Sequence, residues 1–160
     1  MGYSLQAVAA GYDSTYGLEK TTGQLLCWGS NIQADVPVGY RFQAIAAMDY
    51  GHTCGLVQTT GQLLCWGWNR DGQADVPVGY SFQAVAAGYD HTCGLVQTTG
   101  QLLCWGSNIQ ADVPVGYRFQ AVAAMDYVHT CGLVQLTGQL LFSGRNRVGQ
   151  ADVPVCYCFQ

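Results

Sequence analysis

The 160-residue sequence predicts an all-β fold assembled from tandem copies of one small sheet, and three observations carry that prediction. The first is self-similarity: the segment 82–87, Phe-Gln-Ala-Val-Ala-Ala, returns with small changes at 5–10, 42–47 and 119–124, and starts again at Phe159-Gln160. The second is spacing. The Gln that marks each copy falls at positions 6, 43, 83, 120 and 160, so the interval alternates between 37 and 40 residues and the chain is a duplicated pair of unlike repeats. The third is composition: 21 Gly and 10 Tyr, with 49% apolar and only 10% charged residues, suit strands joined by tight turns and are too apolar for a disordered chain.

Each copy reads as the same succession of elements. In the third, 82–86 alternates large or apolar with small or polar residues and forms a first strand, which Gly88-Tyr89-Asp90 ends with turn chemistry. Two further strands follow at 91–97 and 101–105, joined by Thr98-Thr99-Gly100, whose glycine supplies the positive φ of a hairpin. A short fourth strand is expected at 111–113, closed by Pro114, which cannot donate to a ladder. The longer copies carry one extra residue in 48–52 and two more in 69–73. The copies run 5–41, 42–81, 82–118 and 119–158 within a single repeat domain of residues 1–160, and 159–160 open a fifth.

A twisted sheet with two apolar faces cannot shelter both alone. Stacking buries them, and a tandem array of small sheets most naturally becomes a β-propeller. Four blades closing a ring would each span about 90°, a wide wedge for sheets this small. The expectation is therefore an open arc completed by self-association, or part of a longer repeat array.

Charge and hydropathy exclude several functions. The net charge is -4, and Lys20, Arg41, Arg70, Arg118, Arg145 and Arg147 are scattered along the chain, so neither nucleic acid nor an anionic membrane is an expected partner. No apolar run approaches the roughly 20 residues of a membrane-spanning helix. Residues 1–10 lack a basic n-region and coincide with the first repeated strand, so they read as mature structure and not as a signal peptide.

The second copy shows the repeat at its fullest: His52-Thr53-Cys54-Gly55-Leu56, then 61–67, Asn69, Gly72-Gln73 and Val76-Pro77. It resembles the repeat of the regulator of chromosome condensation family, in a compact form like that of bacterial and secreted members, and the resemblance covers essentially the whole chain. It implies a propeller. The family includes a nucleotide exchange factor, a plant ultraviolet-B photoreceptor, receptor ectodomains and a bacterial β-lactamase inhibitor, so fold alone assigns no function. Departures are visible: Gly72-Gln73-Ala74-Asp75 stands where the family has Gly-Gln-Leu-Gly, and the fourth copy has Phe142-Ser143-Gly144 in place of Cys-Trp-Gly.

Eight cysteines need an account. Cys54 and Cys65, like Cys93 and Cys104, lie on opposite arms of one predicted hairpin, close enough for a disulfide; the alternative is a pair of buried reduced thiols packed as small hydrophobes. Cys27 faces Tyr16 and Cys131 faces Phe142, so those two lack partners of this kind. No pair of Cys-x-x-Cys motifs marks a metal site, and no cofactor is called for. Because His52, His91 and His129 occupy one repeated position, they read as structural rings hydrogen-bonded near a strand start, and no Ser-His-Asp spacing or phosphate-cradling loop accompanies them. Trp28, Trp66 and Trp105 belong to the repeat and are expected to pack between blades. The photoreceptor's Gly-Trp-Arg-His-Thr reads Gly88-Tyr89-Asp90-His91-Thr92 here, which excludes light sensing.

The remaining candidates are Tyr12-Asp13, Asp49-Tyr50, Tyr89-Asp90 and Asp126-Tyr127, in the turn after each first strand. If the first strand lines the axis, these carboxylates and phenols share one mouth of the channel, where Tyr is a preferred binding residue. The bland alternative is an Asp capping its own turn. The sequence thus points to a non-enzymatic module binding a protein through a Tyr/Asp rim, with a guanine-nucleotide exchange factor-like regulator of a small GTPase or a carbohydrate-binding propeller as alternatives. The paired cysteines lean toward an extracellular or cell-surface setting, with the cytoplasm as the other.

Overall fold

A computed structural model describes residues 2, 4–11, 13–29, 36–48, 51–107, 113–125 and 129–144. Twelve strands account for the regular structure among them: β1 (Leu5–Ala10), β2 (Ser14–Glu19), β3 (Leu25–Gly29), β4 (Phe42–Ala47), β5 (His52–Val57), β6 (Leu63–Gly67), β7 (Phe82–Ala87), β8 (His91–Val96), β9 (Leu102–Gly106), β10 (Phe119–Met125), β11 (His129–Val134) and β12 (Leu140–Gly144). Consecutive strands pair antiparallel into four separate sheets, β1-β2-β3, β4-β5-β6, β7-β8-β9 and β10-β11-β12. The all-β repeat architecture read from the sequence is therefore present, as four sheets in tandem.

Among the described residues each sheet has three strands. The expected fourth strand at 111–113 falls largely outside the described residues, but its equivalent in the second copy, Ala74-Asp75-Val76, is described and is not a strand. There the backbone folds on itself instead: the Asp75 amide donates to the Gly72 carbonyl and the Val76 amide to that of Ala74. Local turn bonds have taken the groups a ladder would have used.

The second correction concerns the first strand. Pairing slips by one residue between Phe82 and Ala84, and at the same place in the other three copies, so the exposed Gln of each copy is a β-bulge. Simple alternation would set Phe82 and Val85 on opposite faces. With the bulge they lie on one face and join the same cluster.

The cores lie between sheets, not within them. Tyr16 and Leu18 of the first sheet meet Phe42, Val57 and Trp66 of the second; Leu56 and Leu63 of the second meet Phe82 and Val96 of the third; Leu95 of the third meets Phe119 and Val134 of the fourth. At each of the three joints the earlier sheet thus contributes Leu and the later one a Phe and a Val. First strands also approach one another in order, β1 to β4, β4 to β7 and β7 to β10. This is the placement expected of the strands nearest the axis of a propeller arc.

The hairpins hold as the sequence requires. Gly100, at φ 67°, donates its amide to the Val96 carbonyl, while the Val96 amide donates to Gln101, so two residues answer to one. A side chain at that φ would be strained. Both cysteine pairs are disulfides, Cys54–Cys65 and Cys93–Cys104, across β5-β6 and β8-β9. Cys27 and Cys131 carry free thiols, and burial raises that of Cys27 above its ordinary range.

Candidate functional site

The predicted rim begins where each first strand ends. In the third copy the Gly88 amide donates to the His91 carbonyl, closing the turn, and the Asp90 carbonyl accepts from the Ser107 amide at 2.8 Å. Gly106 lies against that carbonyl: a Cβ there would stand 2.5 Å from Asp90 O, and its φ of 107° is one that side chains rarely adopt. The Trp-Gly that closes β9 thus positions the turn that follows β7.

Of the eight rim residues, Asp13, Tyr89 and Asp90 are described, and Tyr12, Asp49, Tyr50, Asp126 and Tyr127 lie outside the described residues. Asp13 is exposed, whereas Tyr89 and Asp90 are half-buried. Asp90 is not a bare surface carboxylate: its Oδ1 lies 3.5 Å from Nδ1 of the buried His91. Burial pushes the His91 imidazole below its ordinary value and Asp90 works against that shift. Gly11 of the first copy lies beside Met48 of the second, since a Cβ on Gly11 would meet the Met48 carbonyl at 3.2 Å.

Next to the Tyr89-Asp90 turn begins a buried polar ladder that explains the repeated His-Thr. His91 Nε2 bonds the Thr130 hydroxyl of the next sheet at 2.8 Å, and His52 Nε2 bonds Thr92 in the same way. His52 and His91 are structural, as the repeated position implied, and they tie the second sheet to the third and the third to the fourth. In the first copy Ser14 replaces the His, and the buried Tyr16 phenol, raised by desolvation, is held back by the Thr53 and Ser14 hydroxyls.

Gln73 was missed by sequence reasoning. It is fully buried, and its carbonyl accepts from both the Thr92 hydroxyl (2.8 Å) and the Trp105 indole (2.9 Å), while its own Oε1 accepts from the Asp71 amide. The signal was the Gly-Gln motif itself, which was noted only as part of the repeat and proves to be a plug between two sheets.

The packing of tryptophan needs one correction. Trp66 is buried and Trp105 half-buried against Phe82, but Trp28 is 51% exposed, because no described sheet covers the backward side of the first. A second repeated surface was also missed. At the opposite end of the sheets from the Tyr/Asp turns, Val38, Val78 and Val115 stand 89%, 92% and 92% exposed, each followed by a half-exposed Tyr40, Tyr80 or Tyr117. The recurring Val-Pro-Val-Gly-Tyr was the available signal. An open cleft of about 280 Å³ lies there, lined by Gln24, Pro37, Tyr40 and Arg41 among others. Among the described residues, no three His, Cys, Asp or Glu side chains converge as metal ligands.

Comparison with known proteins bears on the repeat. Residues 50–73 and 82–109 match the regulator of chromosome condensation repeat. Among solved structures the chain is similar to the entire ectodomain of the receptor kinase CR4 from Physcomitrella patens, with 30% identity and a TM-score of 0.75 over 90% of this chain and 40% of that one. It is also similar to the ectodomain of the Arabidopsis thaliana receptor kinase ACR4, at 29% identity and a TM-score of 0.74 over 88% of this chain and 49% of that one. Prp20p from Saccharomyces cerevisiae shares the fold at 19% identity, with a TM-score of 0.77 over 94% of this chain and 48% of that one. This chain therefore spans less than half the length of each. No curated protein matches it in sequence.

Proposed function

We propose that this repeat arc is a non-enzymatic scaffold that binds a protein through the rim of Tyr12, Asp13, Asp49, Tyr50, Tyr89, Asp90, Asp126 and Tyr127. The observation that carries the reading is the recurrence of a Tyr next to an Asp after every first strand, together with the approach of Gly11 in the first copy to Met48 in the second. Phenols offer large, rigid contact area with a polar tip, and carboxylates beside them favour a partner surface bearing Lys or Arg. Prp20p was described with its binding properties to Gsp1p and histones, and the same yeast protein was solved bound to Kap60, which supports protein recognition by this fold. The disulfides and the two receptor-kinase ectodomains favour an extracellular setting for this chain. The arc engages further copies of its own repeat to cover its end faces.

The test replaces Asp13 and Tyr89 with Ala together and measures binding of cross-linked, identified protein partners. Binding falls at least tenfold while strand content holds; unchanged binding rejects the rim. A panel of small GTPases tested for accelerated nucleotide release separates the exchange-factor alternative, and a glycan array separates the carbohydrate one.

A further inference from the structure

The second joint shows the chemistry between sheets at its fullest, since Ser14 replaces the His at the first joint and Ser143 the Trp at the third. A forward face of His, Leu and Leu meets a backward face of Thr, a large apolar residue from the first strand, and Trp: His52 bonds Thr92 while Leu56 and Leu63 pack on Phe82, with Trp105 against the same cluster. The first sheet carries this backward face uncovered. Thr15, Leu5, Val8 and Trp28 stand at the positions of Thr92, Phe82, Val85 and Trp105, and Val8 is 68% exposed. Glu19 stands where the other copies have a buried Val. Its carboxylate, however, is turned onto its own hairpin, accepting from the Thr21 and Thr22 amides and hydroxyls, and is held down at about 2, chiefly by the Thr22 hydroxyl.

The fourth sheet carries the matching forward face. His129, Leu133 and Leu140 hold the places of His52, Leu56 and Leu63, and Leu140 is 39% exposed where Leu63 is 2%. No described residue covers either face, and the two are complementary to each other but not to themselves.

From this we infer that two copies of the chain associate head to tail, the forward face of the fourth sheet in one closing on the backward face of the first sheet in the other, with His129 reaching Thr15 across the joint. The inference rests on the open-arc reading above and names its interface. A heterologous joint of this kind closes when its rotation completes a circle, and a pair makes two such joints. Eight sheets need about 45° each, half of what four would need.

The experiment is light scattering of the 160-residue chain and of Val8→Arg and Leu140→Arg, with circular dichroism confirming that each variant keeps its strand content. Unaltered chain runs as a two-chain particle. Each variant alone runs as a single chain, because Val8→Arg has lost every backward face and Leu140→Arg every forward one. An equal mixture regains a two-chain particle, more than tenfold weaker than the original because only one intact joint remains. A single-chain unaltered protein overturns both this inference and the self-association reading. A two-chain particle that survives Leu140→Arg overturns the head-to-tail joint alone and leaves self-association standing.

Discussion

Gly55, Gly94 and Gly132, the fourth residues of the repeated His-Thr-Cys-Gly, are there because an aromatic ring lies over them. A Cβ at any of the three would come within 2.5 Å of the Phe42, Phe82 or Phe119 ring. Gly94→Ala is therefore expected to cost about 1–3 kcal/mol by overpacking, although strands elsewhere tolerate the exchange, and urea unfolding measures it. The histidines set a pH dependence. Burial, with His91 adding to it, holds the His52 imidazole down from 6.5 to about 4. In the unfolded chain the ring regains its ordinary value, so acid protonates the unfolded form first. The contribution of His52 is whole above pH 6.5, falls by about 1.4 kcal/mol per pH unit below it, and is lost by pH 4, where the folded ring also protonates. His52→Gln should flatten the slope of stability between pH 6.5 and 4. That these rings are structural was legible from their threefold copying. Their partner was not, because the Thr they bond belongs to the next copy and only stacking brings the two together.

At the scale of the element, hairpin and disulfide were legible together. Cys54 opposes Cys65 and Cys93 opposes Cys104 in register, so once the Thr-Thr-Gly turn is placed the pairing follows. Each bridge spans a sequence separation of 11 and should contribute roughly 3 kcal/mol by constraining the unfolded chain. Reduction without denaturant is expected to lower the urea midpoint, and Cys93→Ala with Cys104→Ala should reproduce about half of that loss. What escaped the sequence was backbone detail. The bulge at each marker Gln is invisible to a period-of-two reading, because a bulge and an alternating strand differ only in how many residues answer one partner. The absent fourth strand has a similar cause: Ala74-Asp75-Val76 is apolar enough for an edge, but Asn69 accepts from the Ala74 amide and donates to the Asp75 carboxylate, which commits the segment to a loop. The candidate rim was legible as a repeated pair and not as a surface, since the sequence could not show Asp90 beside a buried imidazole.

For the whole molecule, stability is set joint by joint, because no sheet encloses a core of its own. In such arrays each unit contributes its intrinsic term and an interface term with its neighbour, so the weakest joint opens first. The first joint buries Tyr16, Phe42 and Trp66, and the second buries Leu56, Leu63 and Phe82 with Trp105 packed alongside. The third is poorer: Ser143 stands where Trp66 and Trp105 stand, a small crevice open to solvent lies among Leu102, Phe119, Leu141 and Ser143, and the fourth sheet has no disulfide because Phe142 faces Cys131. Hydrogen exchange is therefore expected to show β10–β12 opening well before β4–β9, by one to two orders of magnitude in rate, while the first sheet, unbridged but packed on Trp66, exchanges between the two. Ser143→Trp should slow exchange in β10–β12 selectively, because it restores at the third joint the side chain that fills the other two. Uniform exchange across all four sheets would mean that the arc unfolds as one cooperative body, and that the differences between joints are too small to divide it.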